Sequence, residues 1–196
     1  MMNAPTSKKV VLASNSPRRR QLLRDIIPNF TVAESRSIDE SYPEGLTAEE
    51  IAPFLSKLKA DAYADLIDNN TLLITADTIV IIDGRILGKP RDGQEALEML
   101  KTLSGNMHTV VTGVTLRSKT KSRTFSCATQ VYFDKIPEHE LIQYIETFNP
   151  IDKAGAYGIQ EWIGCRGINK IDGCFYNVMG LPLNRLYNEI TEFERD

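Results

Sequence analysis

Residues 10–23 read Val-Val-Leu-Ala-Ser-Asn-Ser-Pro-Arg-Arg-Arg-Gln-Leu-Leu. The apolar, β-branched opening has the length of a strand. Ser16-Pro17 then reads as an N-cap followed by proline at the first helical position, where a missing N–H costs nothing. Leu22, Leu23, Ile26 and Ile27 repeat behind it at helical spacing. A strand therefore feeds a helix through a short polar loop, the element order of an α/β protein. The helix start leaves backbone N–H groups without intrahelical partners, which suits an anion. Ser14, Ser16, Arg18, Arg19 and Arg20 cluster there. Cations in a first turn oppose the helix dipole, so as decoration they would be badly placed. The expectation is a phosphate site at the end of the first strand. It is no Walker loop, because the glycines and the lysine are missing.

The whole chain bounds what such a site can belong to. At 196 residues it is long enough for a substantial core, as one domain or two closely joined lobes. A formal charge of −3 argues against a nucleic-acid binder working through overall charge. Cys127, Cys165 and Cys174 form neither a CxxC pair nor an even set, which reads as reduced thiols. No apolar run reaches the length of a membrane span, and the opening residues hold no signal-peptide core. A soluble, cytoplasmic protein is expected.

The second informative stretch is 72–90, Leu-Leu-Ile-Thr-Ala-Asp-Thr-Ile-Val-Ile-Ile-Asp-Gly-Arg-Ile-Leu-Gly-Lys-Pro. Asp83-Gly84 predicts a hairpin turn. Asp77 sits inside an apolar segment, where a carboxylate is costly unless paired, protonated or bound to a metal. Lys89 returns on the second arm, and Lys59 lies off the apolar stripe of a helical region opened by the Thr47-x-x-Glu50 capping box. Pro53 is expected to kink or restart that helix. The polar stretch 34–40 carries one apolar residue, Ile38, and the carboxylates Asp39 and Glu40.

Farther on, Asp92 caps a helix that Ser104-Gly105 ends, and His108 beyond it reads as a packed residue rather than a catalyst. Residues 109–116 and 124–133 form a β-hairpin by pattern. A helix from Pro137 is expected to bury Leu141, Ile142, Ile145 and Phe148, and a last helix Leu183, Leu186, Tyr187 and Ile190. Between them, Asp-Lys-Ala-Gly-Ala-Tyr-Gly-Ile-Gln at 152–160 suggests a loop shaped around a ligand. In it Tyr157 could stack on or pack beside a base, and Gln160 offers donor and acceptor in one group.

An anion-binding helix start, acidic residues at Asp77 and Glu40 and lysines at 59 and 89 suit metal-assisted phosphoryl or nucleotidyl chemistry. Oxygen ligands favour Mg²⁺ or Mn²⁺. Residue-level reasoning stops at that class.

The sequence also resembles the Maf (septum-formation-inhibitor-like) nucleoside triphosphate pyrophosphatases. The resemblance is carried by Leu12-Ala-Ser-Asn-Ser-Pro-Arg-Arg19, Ile38-Asp-Glu40, Ala76-Asp-Thr78, Leu87-Gly-Lys-Pro90, Leu103-Ser-Gly105 with His108, Thr112-Gly-Val114 and Asn177-Val-Met-Gly-Leu-Pro-Leu183, in order. It implies an α/β fold with a mixed, strongly curved central sheet flanked by helices, two lobes around a substrate cleft, and one domain over 1–196. It implies hydrolysis of a nucleoside triphosphate between the α and β phosphates with a divalent metal, Mg²⁺ or Mn²⁺. Carried over by motif, Asp77 accepts the proton of water, and Glu40 with Asp77 holds metal. Lys89 joins the catalytic set, and Ser14, Arg19, Lys59 and Lys89 contact phosphates. Arg18, Thr78 and Gln160 match positions tied to substrate choice.

The block at 152–160 resembles the subgroup acting on dTTP and UTP, whereas the 7-methyl-GTP subgroup carries an acidic residue where Gln160 stands. Glu161-Trp-Ile-Gly164 departs from the glycine-rich stretch usual after that glutamine, so Trp162 could alter the pocket rim or a dimer contact. A homodimer, no membrane and no stable nucleic-acid partner are implied. Two other readings stay open at this level: a non-catalytic nucleotide or nucleic-acid binding regulator of septum formation, and a purine (ITP/XTP) pyrophosphatase.

Overall fold

The computed structural model describes residues 5–195. The chain runs β1 (Lys9–Leu12), α1 (Pro17–Ile26), β2 (Thr31–Val32), α2 (Ala48–Ala62), β3 (Thr71–Ile82), β4 (Arg85–Leu87), α3 (Gly93–Leu103), β5 (Met107–Arg117), β6 (Ser122–Phe133), α4 (Glu138–Phe148), α5 (Trp162–Gly167), β7 (Ile168–Asp172), α6 (Phe175–Met179) and α7 (Leu183–Arg195). Among the described residues seven strands form one sheet, ordered β2-β1-β3-β5-β6-β7, with β4 on β3. The sheet is mixed, as expected: β1 runs parallel to β2 and β3, while β4 and β7 pair antiparallel with β3 and β6. No helix among the described residues is long and apolar enough to cross a membrane.

The chain divides into two compact units. The first holds the chain through Asp77, Thr112–Cys127 and the stretch from Gly180; the second holds Thr78–Val111 and Ala128–Met179. In the first unit Val11, Ala13, Ala60, Tyr63 and Leu73 pack together, with Ile38 against them. In the second, Val80, Ile82, Leu100, Val131, Phe133, Leu141, Tyr144 and Tyr157 belong to one larger core.

Local signals and observed elements agree where the chemistry is local. Ser16 caps α1, its hydroxyl accepting from the Arg19 N–H at 3.4 Å. The Asp83-Gly84 turn takes φ of 49° and 72°, the left-handed pair that a two-residue hairpin of this twist requires. Three expectations need correction. Pro53 lies within one continuous helix, where its missing N–H falls early in α2 and forfeits one bond. In α4 the buried side chains are Leu141 and Tyr144, whereas Ile142 and Phe148 are exposed. In α7 Phe193 takes the inward place assigned to Tyr187, which is exposed. Apolar residues one position off the stripe match the periodicity equally well, and only the neighbouring layer selects among them.

Candidate active site

In the first unit the site begins with α2 and β3. Thr75 of β3 donates its hydroxyl proton to the carbonyl of Ser56 at 2.6 Å. The Ser56 hydroxyl lies 2.9 Å from that of Thr115, which in turn lies 2.9 Å from that of Thr124. These contacts lock α2 against the strands at a fixed register. Two residues along β3 on the same face stands Asp77, and one helical turn beyond Ser56 stands Lys59. The two meet: Lys59 Nζ donates to Asp77 Oδ1 and lies 3.0 Å from Glu40 Oε1. Asp77 is buried, Lys59 half-buried and Glu40 exposed.

Glu40 reaches this point because its loop is held. Ile38 packs into the first core. The Tyr63 hydroxyl donates to Glu34 O at 3.0 Å and accepts from Arg36 N–H at 3.1 Å. Arg36 makes a two-pronged contact with Asp65 at 2.6 and 2.8 Å. Asn15 Nδ2 donates to Ser35 Oγ at 2.7 Å, tying the loop after β1 to the acidic stretch.

Arg19 supplies the remaining charge. Its Nε donates to Gly180 O at 2.8 Å and its Nη1 to Ala76 O at 2.9 Å, clamping the residue before Asp77. Burial holds its pKa below the ordinary value, Asp77 and Glu40 working in the other direction. Ser14 Oγ accepts from the Ser16 N–H at 3.3 Å, and Arg18 is half-buried on the first turn of α1. Ser14, Arg19, Glu40, Lys59 and Asp77 thus belong to one unit.

The other candidates belong to the second unit. Thr78 is half-buried on β3, and Lys89 is exposed in the segment after β4. That segment meets the 152–160 loop through Gly155 N–H, which donates to Gly88 O at 3.0 Å. Gly155 has a φ of 68°, and a side chain there would run into Val80. Ala156 follows with a φ of 59°, which is costly for a residue with a Cβ and marks a loop held by its surroundings. Gln160 ends the loop exposed.

Tyr157 is corrected from a base-stacking role. Its ring is buried at 5.2 Å from Phe133 and 5.4 Å from His108, edge to face, so it supports the loop from beneath. Its hydroxyl lies 2.7 Å from His108 Nε2, and burial pushes its pKa upward. His108 is the packed residue expected, and burial lowers its pKa to about 4.

That shift has a consequence for stability. The neutral imidazole is favoured in the folded state, so its contribution is whole above the unfolded pKa near 6.5 and is lost as pH falls toward 4. Between pH 7 and pH 4.5 this amounts to about 2.5 kcal/mol. Urea unfolding of wild type is expected to show that loss, and His108→Gln, which keeps a partner for Tyr157, to be nearly flat over the same interval.

Asn177 and Gly113 have structural roles that the motifs containing them do not reveal. The buried Asn177 amide donates to Val110 O at 3.0 Å and to Thr129 Oγ1 at 2.9 Å, pinning α6 to its strands. Gly113 is where the β5 backbone meets α2: a Cβ there would lie 2.3 Å from Ala52 C and O and Pro53 N.

Two carboxylates converging on one ammonium also bear on the metal. Glu40 and Asp77 offer hard oxygen donors to a single point that a cation already occupies in Lys59 Nζ. No group of three or more His, Cys, Asp or Glu side chains capable of holding a metal occurs among the described residues. One or two carboxylates completed by water and phosphate oxygens is the usual way of holding Mg²⁺, and the residues fit it.

The family profile described as Maf-like protein matches residues 9–193. The chain belongs to the Maf family. Among curated relatives, a protein of Porphyromonas gingivalis (strain ATCC BAA-308 / W83) named dTTP/UTP pyrophosphatase is 50% identical over 187 residues, 94% of each chain. One from Bacteroides thetaiotaomicron with the same name is 47% identical over 182 residues, 93% of this chain and 94% of the other. Among solved structures, a HAM1 protein from Coxiella burnetii aligns with a TM-score of 0.49 at 14% identity, covering 94% of this chain and 99% of that one. Family membership spans both units without a break.

Proposed function

We propose that this chain hydrolyses dTTP and UTP between the α and β phosphates, giving the nucleoside monophosphate and pyrophosphate. The observation that carries the reading is Lys59 held between Asp77 and Glu40, beside the Arg19 clamp. Relatives of about half-identical sequence named dTTP/UTP pyrophosphatase support the substrate assignment.

In this reading the residues divide the work. Asp77 takes the proton of the attacking water, whose oxygen ends on phosphorus as the α–β bridging P–O bond breaks. Lys59 exchanges its carboxylate partners for a phosphate when substrate arrives, which leaves Asp77 to face the water. Ser14, Arg19 and Lys89 address phosphate oxygens, and Lys89 helps balance the charge building on pyrophosphate. Arg18, Thr78 and Gln160 bias substrate choice, with the Gln160 amide directed to the base. A divalent cation, Mg²⁺ or Mn²⁺, would be held by Glu40 and Asp77. When bound, it would supply neutralisation of phosphate charge.

The whole of 1–196 serves this one reaction, in the cytoplasm where nucleoside triphosphates are made and used. The chain acts as a homodimer and needs neither membrane nor nucleic acid. Pyrimidine triphosphates with altered bases are included among its substrates.

A nucleotide panel tests the proposal: dTTP, UTP, CTP, GTP, 7-methyl-GTP and ITP with Mg²⁺, all products resolved. Monophosphate with pyrophosphate, from dTTP and UTP ahead of the others, is the expected result. Diphosphate with phosphate would place the cleavage at the wrong bond. Nucleotide bound without turnover would make the chain a sensor, and preference for ITP would make it a purine enzyme.

A further inference from the structure

Glu161 directly follows Gln160, and its carboxylate is enclosed rather than solvated. Only 16% of its side chain is exposed, and that of Lys153 beside it only 8%. Lys153 Nζ lies 3.2 Å from Glu161 Oε1 and 2.9 Å from Asp152 Oδ1. Tyr144 donates its hydroxyl proton to Glu161 Oε2 and accepts the Gly158 N–H at 3.1 Å. Each buried polar atom of this cluster meets a partner of opposite character, the condition under which a buried charge is tolerable.

The cluster ends on the Gln160 amide. Gln160 Nε2 donates to Glu161 Oε1 at 3.5 Å. Both side chains lie over the bare Cα of Gly158, where a Cβ would come within 2.8 Å of Gln160 Nε2 and 2.9 Å of Glu161 Oε2. A carboxylate only accepts, so an amide beside it must present its NH₂ end. The opposite end, the acceptor Oε1, is thereby turned away from Glu161.

We infer that Glu161 is a positioning residue for base selection: by holding the NH₂ end of Gln160, it makes that side chain present an acceptor, which, facing ring atom N3, selects a pyrimidine carrying its N–H donor there. Uracil and thymine carry such a donor at N3. Cytosine has a bare lone pair there, and an acceptor facing it is repelled. The inference rests on the proposal that Gln160 reads the base, and it explains why an ionised side chain is kept in so enclosed a place.

The test is steady-state kinetics of the full chain with UTP and CTP. In Glu161→Gln the neighbour can donate as well as accept, so the Gln160 amide is no longer forced one way. The UTP:CTP ratio of kcat/KM is expected to fall about tenfold, the value of one oriented hydrogen bond. The change should lie in KM for UTP, with kcat within about twofold. Tyr144→Phe cuts the same network elsewhere but leaves the acceptor beside Gln160. It is expected to lower the melting temperature and keep the ratio. Where Glu161→Gln does not stay folded, Glu161→Asp retains a charge for Lys153, draws back from Gln160 by one carbon, and should lose the ratio in the same direction. A folded Glu161 variant that keeps the wild-type ratio overturns the inference, as does an equal loss in Tyr144→Phe, which would mark a purely structural role. A wild type that turns over UTP and CTP alike would instead remove the base-reading role of Gln160, and the inference with it.

Discussion

Asp77→Asn is expected to lower kcat for dTTP and UTP by about three orders of magnitude, within the span of general-base contributions, while nucleotide affinity changes by no more than a few-fold. Asparagine has the shape of aspartate and can still accept from Lys59 Nζ, and Glu40 remains as that lysine's second partner. The first unit should therefore keep its packing, and the variant its melting temperature. What it loses is the atom that takes a proton as water attacks, a contribution made in the transition state and not in the bound ground state. Binding of the triphosphate should stay within that few-fold range, because the loss of one negative charge near the phosphates offsets a weaker hold on the divalent cation. Calorimetric titration with UTP beside a pyrophosphate-release assay separates the two effects. Turnover equal to wild type would take Asp77 out of the mechanism. Loss of binding and turnover together would make it a ligand for the substrate complex rather than a base.

Gly113→Ala is expected to destabilise the protein by about 3 kcal/mol, at the upper end for overpacking, and to lower its melting temperature by roughly 10 °C. The added methyl would overlap three backbone atoms of α2, at Ala52 and Pro53. Backbone cannot rotate away as a flexible side chain can, so strand and helix must separate. The absence of an N–H at Pro53 marks the same point of contact from the helix side. Since α2 carries Ser56 and Lys59, the separation should also disturb the Lys59–Asp77 contact. Activity measured well below the melting temperature should therefore fall several-fold. Urea unfolding gives the stability term, and a loss under about 1 kcal/mol would mean that α2 yields at this position without strain.

Both substitutions fall in motifs visible in the chain, yet their physical reasons differ in how far they can be read from residue order. Asp77 announces itself, since a carboxylate within an apolar strand needs a partner. Gly113 does not, because nothing in Thr112-Gly-Val114 shows which backbone approaches it. The stretch at 34–40 offers Glu40 as a candidate carboxylate, but nothing in its residue order shows what holds it in place. Its anchoring by Tyr63, Asp65 and Asn15 joins residues far apart in sequence. Tyr157 illustrates the reverse case: an aromatic in a glycine-rich loop suits ligand stacking, but its neighbours His108 and Phe133 bury it.

Residue order alone determined the strand–loop–helix start at 10–23, the capped helices, the Asp83-Gly84 hairpin, the α/β class and the family. Each rests on interactions within a few residues, such as caps, turn dihedrals and side-chain periodicity, or on ordered motifs. The tertiary structure alone decided which apolar residues of α4 and α7 face inward. It likewise decided that Lys59 stands between Asp77 and Glu40, and that Glu161 holds the Gln160 amide. Those outcomes depend on which element packs against which, and at what register. A helical stripe permits several answers to that question, and the neighbouring layer admits one.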